Sequence, residues 1–283
     1  MTLPLFDPSD DPGPDFAGLL RRAGLDSAPL PSPDRLPRLT HGTTVIAVRY
    51  RDGVVMAGDR RATAGNLISH RALEKVFPAD RYSGVAIAGV AGPAMDMVRL
   101  FQLQLEHYEK VEGSVLSLEG KANQLSAMVR EHLPAAMQGL VVVPLFAGYD
   151  TATGAGRLFE YDVTGGRYEE SNFSATGSGG LHAGTVIKLG FDEGADRGAT
   201  IELAVEALFE AADEDSATGG PDLVRGIYPT VATIDEGGFE RVEDDEVAER
   251  FRALLDRRAE VERTTTRVPE TSDETGDEAG DQA

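Results

Sequence analysis

Apolar positions along this chain recur with two different periods. Short β-branched runs, "TTVIAVRY" (43–50) and "GVVMAGD" (53–59), flank the turn signal "RDG" and predict a hairpin. A third run, "GVAIAGV" (84–90), stops at "AGP", after which "AMDMVRLFQLQLEHYEK" (94–110) repeats apolar residues at helical spacing. "SLEGKANQLSAMVREHL" (117–133) predicts a second amphipathic helix that ends near Pro134. "GLVVVPLFAGYD" (139–150) and "GRLFEYDVTGGRYEE" (156–170) read as strands joined by glycine-containing turns, the second with "TGG" as its own hairpin. Beyond "ATGSGG" (175–180), helical periods cover 181–190 and about 197–213, and "GIYPTVATIDEGGFERV" (226–242) closes with another hairpin. Helices therefore come in consecutive pairs between groups of strands. That order suits antiparallel sheets with helices layered outside them, not a doubly wound parallel sheet. The fold class expected is α+β, a four-layer αββα sandwich of two antiparallel sheets.

Neither end of the chain has such periods. Residues 1–42 are rich in Pro, Asp and Leu, with "SAPLPSPDRLPRL" just ahead of the first strand, and read as a leader. From Arg263 onward, "RTTTRVPETSDETGDEAGDQA" has Val268 as its one large apolar side chain and reads as a disordered acidic tail. The body is then residues 43–262. Lys and Arg number 27 against 48 Asp and Glu, a net charge of −21, which argues against nucleic acid or an anionic membrane as a partner. Without cysteine, disulfides, thiolate nucleophiles and Cys-held metals are excluded, so any nucleophile is an oxygen or a nitrogen. The opening "MTLPLFDPSDDPGPDF" has acids and prolines where a secretory signal has a basic region and an apolar run, and no run reaches membrane-spanning length. A soluble, cytoplasmic protein is expected. The five histidines, His41, His70, His107, His132 and His182, show no HExxH spacing, so neither a metal nor another cofactor is expected.

Within "LTHGTTVIAVRY" (39–50), Thr43 opens a strand directly behind Gly42. A β-branched residue needs no further reason to stand there. Cutting the Gly42–Thr43 bond would supply one, because Thr43 would then carry a hydroxyl and a free α-amine, nucleophile and base on one residue. An α-amine titrates near pH ~8 and lower beside a cation, so it is largely neutral at physiological pH and can take the hydroxyl proton. Gly42 tolerates the unusual backbone angles that attack on the preceding carbonyl requires. A hairpin at "RDG" returns "AGDRR" beside the strand start and puts Asp59 within about one or two residue steps of Thr43. Asp59 can hold a cation there. Lys75, in "RALEKVF", is one of four lysines, with Lys110, Lys121 and Lys188, and sits between apolar neighbours. Held charged by Asp59, it would stabilise the threonine alkoxide and depress the amine's pKa.

These residues carry a resemblance. "GTTVIAVRYRDGVVMAGDRRAT", "EKVF", "AIAGVAG" and "DSATGGPDLVRG" resemble the β-subunit of the 20S proteasome, most closely the actinobacterial type, over essentially residues 40–245. That family consists of N-terminal-nucleophile hydrolases with the four-layer sandwich, and its members free their nucleophile by self-cleavage after a glycine. The likeness implies a threonine-type endopeptidase with Thr43 as nucleophile, Asp59 and Lys75 as its supporting pair, and residues 1–42 as a propeptide cut between Gly42 and Thr43. It also implies Gly89 as the oxyanion N–H, and Ser178 and Asp215 beside the threonine amine. Thr218 stands where the family has a serine. Thr63 and Ala91 match positions whose backbones pair with an extended substrate, and Ala62, Phe77, Ile87, Ala91 and Met95 match the first specificity pocket. All are uncharged, which predicts cleavage after apolar residues. By the same likeness the partners are proteasome α-subunits, in stacked heptameric α, β, β and α rings of twenty-eight subunits, and an ATPase ring that delivers unfolded protein. Two alternatives are the peptidase subunit of the simpler two-component bacterial ATP-dependent protease and a non-catalytic structural β-subunit. The long leader, "GDRR" and "GGPDLVRG" count against the first, and the presence of Thr43, Asp59, Lys75, Ser178 and Asp215 together counts against the second.

Overall fold

The "RDG" hairpin forms as read: β1 (Thr44–Tyr50) and β2 (Gly53–Gly58) run antiparallel with Tyr50 opposite Gly53 and Val45 opposite Gly58. The structure, a computed structural model, describes residues 13–16, 18–19 and 42–266, so most of the leader and all of the tail beyond 266 lie outside the described residues. On its other side β1 pairs with β10 (Phe173–Gly177), and β2 pairs with β11 (Thr230–Asp235), which carries β12 (Gly238–Arg241). These make one five-stranded antiparallel sheet in the order β10-β1-β2-β11-β12. A second five-stranded sheet is a meander of β5 (Val76–Asp80), β6 (Ser83–Gly89), β7 (Val142–Asp150), β8 (Ala155–Tyr161) and β9 (Arg167–Glu170). Between β2 and β5 a separate small hairpin forms from β3 (Ala62–Ala64) and β4 (Leu67–His70).

Alternation along each strand divides the interior into three apolar layers. Val45, Ala47, Val54 and Met56 of the first sheet meet Ala86, Ala88, Leu145 and Leu158 of the second. Ile46, Val48, Val55 and Ala57 point the other way, onto α3 (Gly180–Gly190), α4 (Arg197–Glu214) and α5 (Asp244–Thr266). Val85, Ile87, Phe146 and Phe159 point out of the second sheet onto α1 (Ala91–Glu112) and α2 (Leu118–Ala136). Central strands covered on both faces carry continuous apolar runs, which is the reason the sequence pattern there shows no alternation. The result is the expected α+β sandwich of helices, sheet, sheet and helices. No helix among the described residues is long and apolar enough to cross a membrane.

Several elements differ from the sequence reading. α2 continues past Pro134 to Ala136, with the Met137 N–H bonded to the Leu133 carbonyl and Ala135 buried. Proline this close to the end forfeits a single helical hydrogen bond, which packing of the last turn offsets. β10 and the β3–β4 hairpin went unread because they are short and hold Gly, Ser, Thr and His rather than a β-branched run. α5 went unread as well, and it runs through Thr266, beyond the Arg263 boundary drawn from composition. Val247, Ala248, Phe251 and Leu254 turn inward on one narrow stripe, while the outer face is charged and pairs with α4 through Arg250–Glu202 and Arg258–Glu206.

Candidate active site

Thr43 stands immediately before β1 and, like Thr44, is buried in the uncut chain. The β1–β2 register carries one step past Gly58 and sets Asp59 against Thr44, with the Asp59 N–H bonded to the Thr44 carbonyl at 3.1 Å and the Thr44 N–H to Asp59 Oδ1 at 2.9 Å. Asp59 is fully buried. Its second oxygen, Oδ2, accepts the N–H groups of Arg61 and Gly219, both at 2.9 Å. Lys75, the residue before β5, brings Nζ to 2.6 Å from Asp59 Oδ1 and donates to the Arg61 carbonyl, also at 2.6 Å. Burial pushes the Lys75 pKa below that of an ordinary lysine, with the charge and hydrogen bond of Asp59 opposing the shift. A charge pair out of water persists only when such partners compensate both ions. Here every oxygen of the carboxylate has two donors.

A second carboxylate is held on the other side of Thr43. β10 ends at Gly177, opposite Thr44, and the next residue, Ser178, donates its N–H to the Thr43 carbonyl at 2.9 Å. Gly177 has φ +102°, and a Cβ there would lie 1.7 Å from that same carbonyl oxygen, so only glycine lets the two strands meet this closely. Ser178 Oγ donates to Asp215 Oδ2 at 2.5 Å, and Thr218 Oγ1 donates to the same oxygen at 2.6 Å. Asp215 caps the C-terminus of α4, its N–H bonded to the Ala211 carbonyl. Burial raises the Asp215 pKa, but hydrogen bonds from Ser178, Thr218 and the Ala217 N–H outweigh it and hold the carboxyl below the ordinary range. Gly42 lies against the same loop. A Cβ on Gly42 would fall 1.7 Å from Ala217 Cβ, so space, rather than the backbone freedom expected from the sequence, is what this structure offers as the reason for glycine.

Residues 39–224 match the family model for proteasome subunits. The chain belongs to the proteasome subunit family. Its relatives include proteins named proteasome subunit beta from Acidimicrobium ferrooxidans, 59% identical over 88% of this chain and 92% of that protein, and from Streptomyces griseus, 57% identical over 78% of each. A third, from Acidothermus cellulolyticus, is 56% identical over 77% of each. This proteasome subunit thus stands among β-type relatives, as its sequence resemblance implied.

The remaining positions named from the sequence fall into four places in the proteasome subunit. Gly89 ends β6 with φ +119°, and a Cβ there would lie 2.1 Å from the Val141 carbonyl oxygen. Phe77 and Ile87, with Met95 packed against them, share the apolar layer beneath α1, and the Ile87 N–H is bonded to the Lys75 carbonyl at 3.0 Å. Ala91 opens α1, while Ala62 and Thr63 are buried on β3, where Thr63 Oγ1 accepts the Gly42 N–H at 3.4 Å. One side chain in this network was not singled out from the sequence. Thr44 Oγ1 lies 2.6 Å from Thr218 Oγ1 and accepts the Gly179 N–H at 2.9 Å. The doubled threonine was its signal, hidden because a β-branched residue also suits a strand. The Arg61 carbonyl and the Gly219 N–H were likewise missed, since main-chain groups leave no mark on residue type.

Proposed function

We propose that this β-type proteasome subunit is a threonine endopeptidase that matures by cutting its own Gly42–Thr43 bond. The observation that carries the reading is the buried Lys75–Asp59 pair one residue from Thr43, with Nζ at 2.6 Å from Oδ1. Such a pair, tied through the Thr44 N–H to the residue after a glycine–threonine bond, has a use in stabilising developing negative charge. An ammonium has three donors, of which Asp59 and the Arg61 carbonyl take two, and we assign the third to the Thr43 oxygen. In maturation that oxygen adds to the Gly42 carbonyl carbon, the Thr43 nitrogen leaves with a proton, and an ester joins the two residues. Water then hydrolyses the ester, giving a Gly42 carboxylate and a Thr43 with free amine and free hydroxyl.

The mature residue repeats the chemistry on substrates. The α-amine accepts the Thr43 hydroxyl proton, the oxygen attacks a peptide carbonyl, and the amine passes the proton to the departing nitrogen. Water releases the acyl group and restores the hydroxyl. Ser178 and Asp215 set the surroundings of the amine, with Thr218 supporting Asp215, and the Gly89 N–H receives the oxyanion. Ala62, Thr63, Phe77, Ile87, Ala91 and Met95 form the substrate wall, which takes apolar side chains. Residues 1–42 are the propeptide and the peptidase domain begins at Thr43, its last helix carrying four residues past the 262 boundary before the acidic tail. The subunit assembles with proteasome α-subunits in the cytoplasm, in heptameric rings fed with unfolded protein by an ATPase ring. Relatives named proteasome subunit beta speak against the simpler two-component protease.

Intact-mass measurement and N-terminal sequencing of active particles test this reading. Thr43 is the expected first residue, and Thr43→Ala is expected to keep its leader and hydrolyse no peptide. Fully active particles with the Gly42–Thr43 bond uncut would overturn the mechanism.

A further inference from the structure

Resting on the threonine-nucleophile reading above, we propose that the Thr44 hydroxyl is a positioning group for the reaction, coupling the Asp215 carboxylate to the strand that presents Thr43. Thr44 and Thr218 are both fully buried, and each hydroxyl has a single hydrogen to give. The Asp215 carboxylate is the stronger acceptor, so the Thr218 hydrogen goes to Asp215 Oδ2 across 2.6 Å. The Thr44 hydrogen is then the one that lies between Thr44 Oγ1 and Thr218 Oγ1, which are 2.6 Å apart. Thr44 Oγ1 in turn accepts the Gly179 N–H at 2.9 Å. The directions are fixed along the whole relay, from Gly179 through Thr44 and Thr218 to Asp215.

Two features indicate that the hydroxyl, and not the strand, decides the residue at 44. Ile46 and Val48, two and four residues on, face the layer of α3 and α4, so valine would satisfy position 44 by shape and β-preference. Gly179 is also constrained, since a Cβ there would stand 2.6 Å from Thr44 Oγ1 and 2.7 Å from Thr218 Oγ1. Thr44 touches both carboxylates of the site, Asp59 through its N–H at 2.9 Å and Asp215 through the relay. Thr43, bonded to Thr44, inherits its position from both. A shift of the relay moves the nucleophile relative to the group beside its amine, and such misplacement lowers the rate of the chemical step more than substrate binding.

The test is peptide hydrolysis by assembled particles carrying Thr44→Val or Thr44→Ser, with Thr43→Ala alongside. Thr44→Val is expected to lower kcat by about tenfold or more with KM within about twofold, and Thr44→Ser to restore most of the rate. Should Thr44→Val not assemble, Thr218→Val breaks the same relay and is expected to lose kcat to a similar extent. Turnover by Thr44→Val, or failing that by Thr218→Val, at the unaltered rate would overturn the proposal while Thr43→Ala remains inert. So would a Thr44→Ser variant as slow as Thr44→Val. Hydrolysis by Thr43→Ala would instead remove the underlying reading of the nucleophile.

Discussion

Asp59 shows what a single residue does in this site. Buried, it is surrounded by donors: the Thr44, Arg61 and Gly219 N–H groups and Lys75 Nζ. Taking Lys75 away leaves a carboxylate in the interior with its charge uncompensated, which costs about 3–5 kcal/mol. Lys75→Ala is therefore expected to lose stability of that order in urea unfolding as well as leader cleavage and hydrolysis; a variant that turns over substrate normally would refute the role given to the lysine. Gly42 supplies a second prediction. A methyl at 42 would collide with Ala217 Cβ, and an overpacking cost of about 1–3 kcal/mol carried by the cleavage transition state slows leader cleavage about five- to 150-fold. Gly42→Ala is expected to accumulate uncut precursor by intact mass, and adding Ala217→Gly to recover part of the rate. If the double variant is no faster than the single one, steric contact with Ala217 is not what limits cleavage.

At the scale of elements, two glycines let strand ends close onto neighbouring backbone around the proposed site. Gly177 lets β10 close on the Thr43 carbonyl, and Gly89 turns β6 into α1 at φ +119° beneath the Val141 carbonyl. A side chain at a left-handed residue costs about 1–3 kcal/mol, and here it would also meet backbone that cannot give way. Gly89→Ala is expected to lower the unfolding midpoint and to reduce kcat; full activity with an unchanged midpoint would argue against the oxyanion role. The elements differed in how far the sequence announced them. β1, β2 and the paired helices were legible from apolar runs and helical spacing. Pro134 misled about the end of α2, because propensity counts one lost hydrogen bond and cannot count the burial of Ala135. α5 was invisible for the opposite reason, its inward stripe being narrow and its charges belonging to partners on α4.

For the whole molecule, pH reports on how these parts are coupled. The Asp215 pKa is depressed in the fold, so its contribution to stability is complete above the unfolded value of about 3.9 and is lost as pH falls through the lower folded value. Urea unfolding from pH 6 downward is expected to show a gap between the unaltered chain and Asp215→Asn that closes in that acid window. A gap independent of pH would mean the carboxylate's ionisation is not what the fold uses. Hydrolysis has its own limb. On the mechanism proposed above the α-amine of Thr43 acts in its neutral form, so kcat/KM is expected to rise with pH to an inflection below about 8, lowered by the Lys75 charge.

By itself the sequence determined the layer order, the glycine–threonine junction and the place of Asp59 beside it, because hairpin register and apolar spacing are local rules that residue types obey; Lys75 it offered as a candidate cation, which the family resemblance paired with Asp59. The resemblance named Ser178, Asp215 and Thr218, but only the tertiary structure showed that Ser178 and Thr218 share Asp215 Oδ2 and that Thr44 joins them, three of the four lying more than a hundred residues from β1. It alone showed why Gly42 and Gly179 are glycines, since that depends on which atoms of Ala217, Thr44 and Thr218 arrive beside them. Close approach between distant segments is fixed by packing three apolar layers at once, and no single stretch of sequence contains that information.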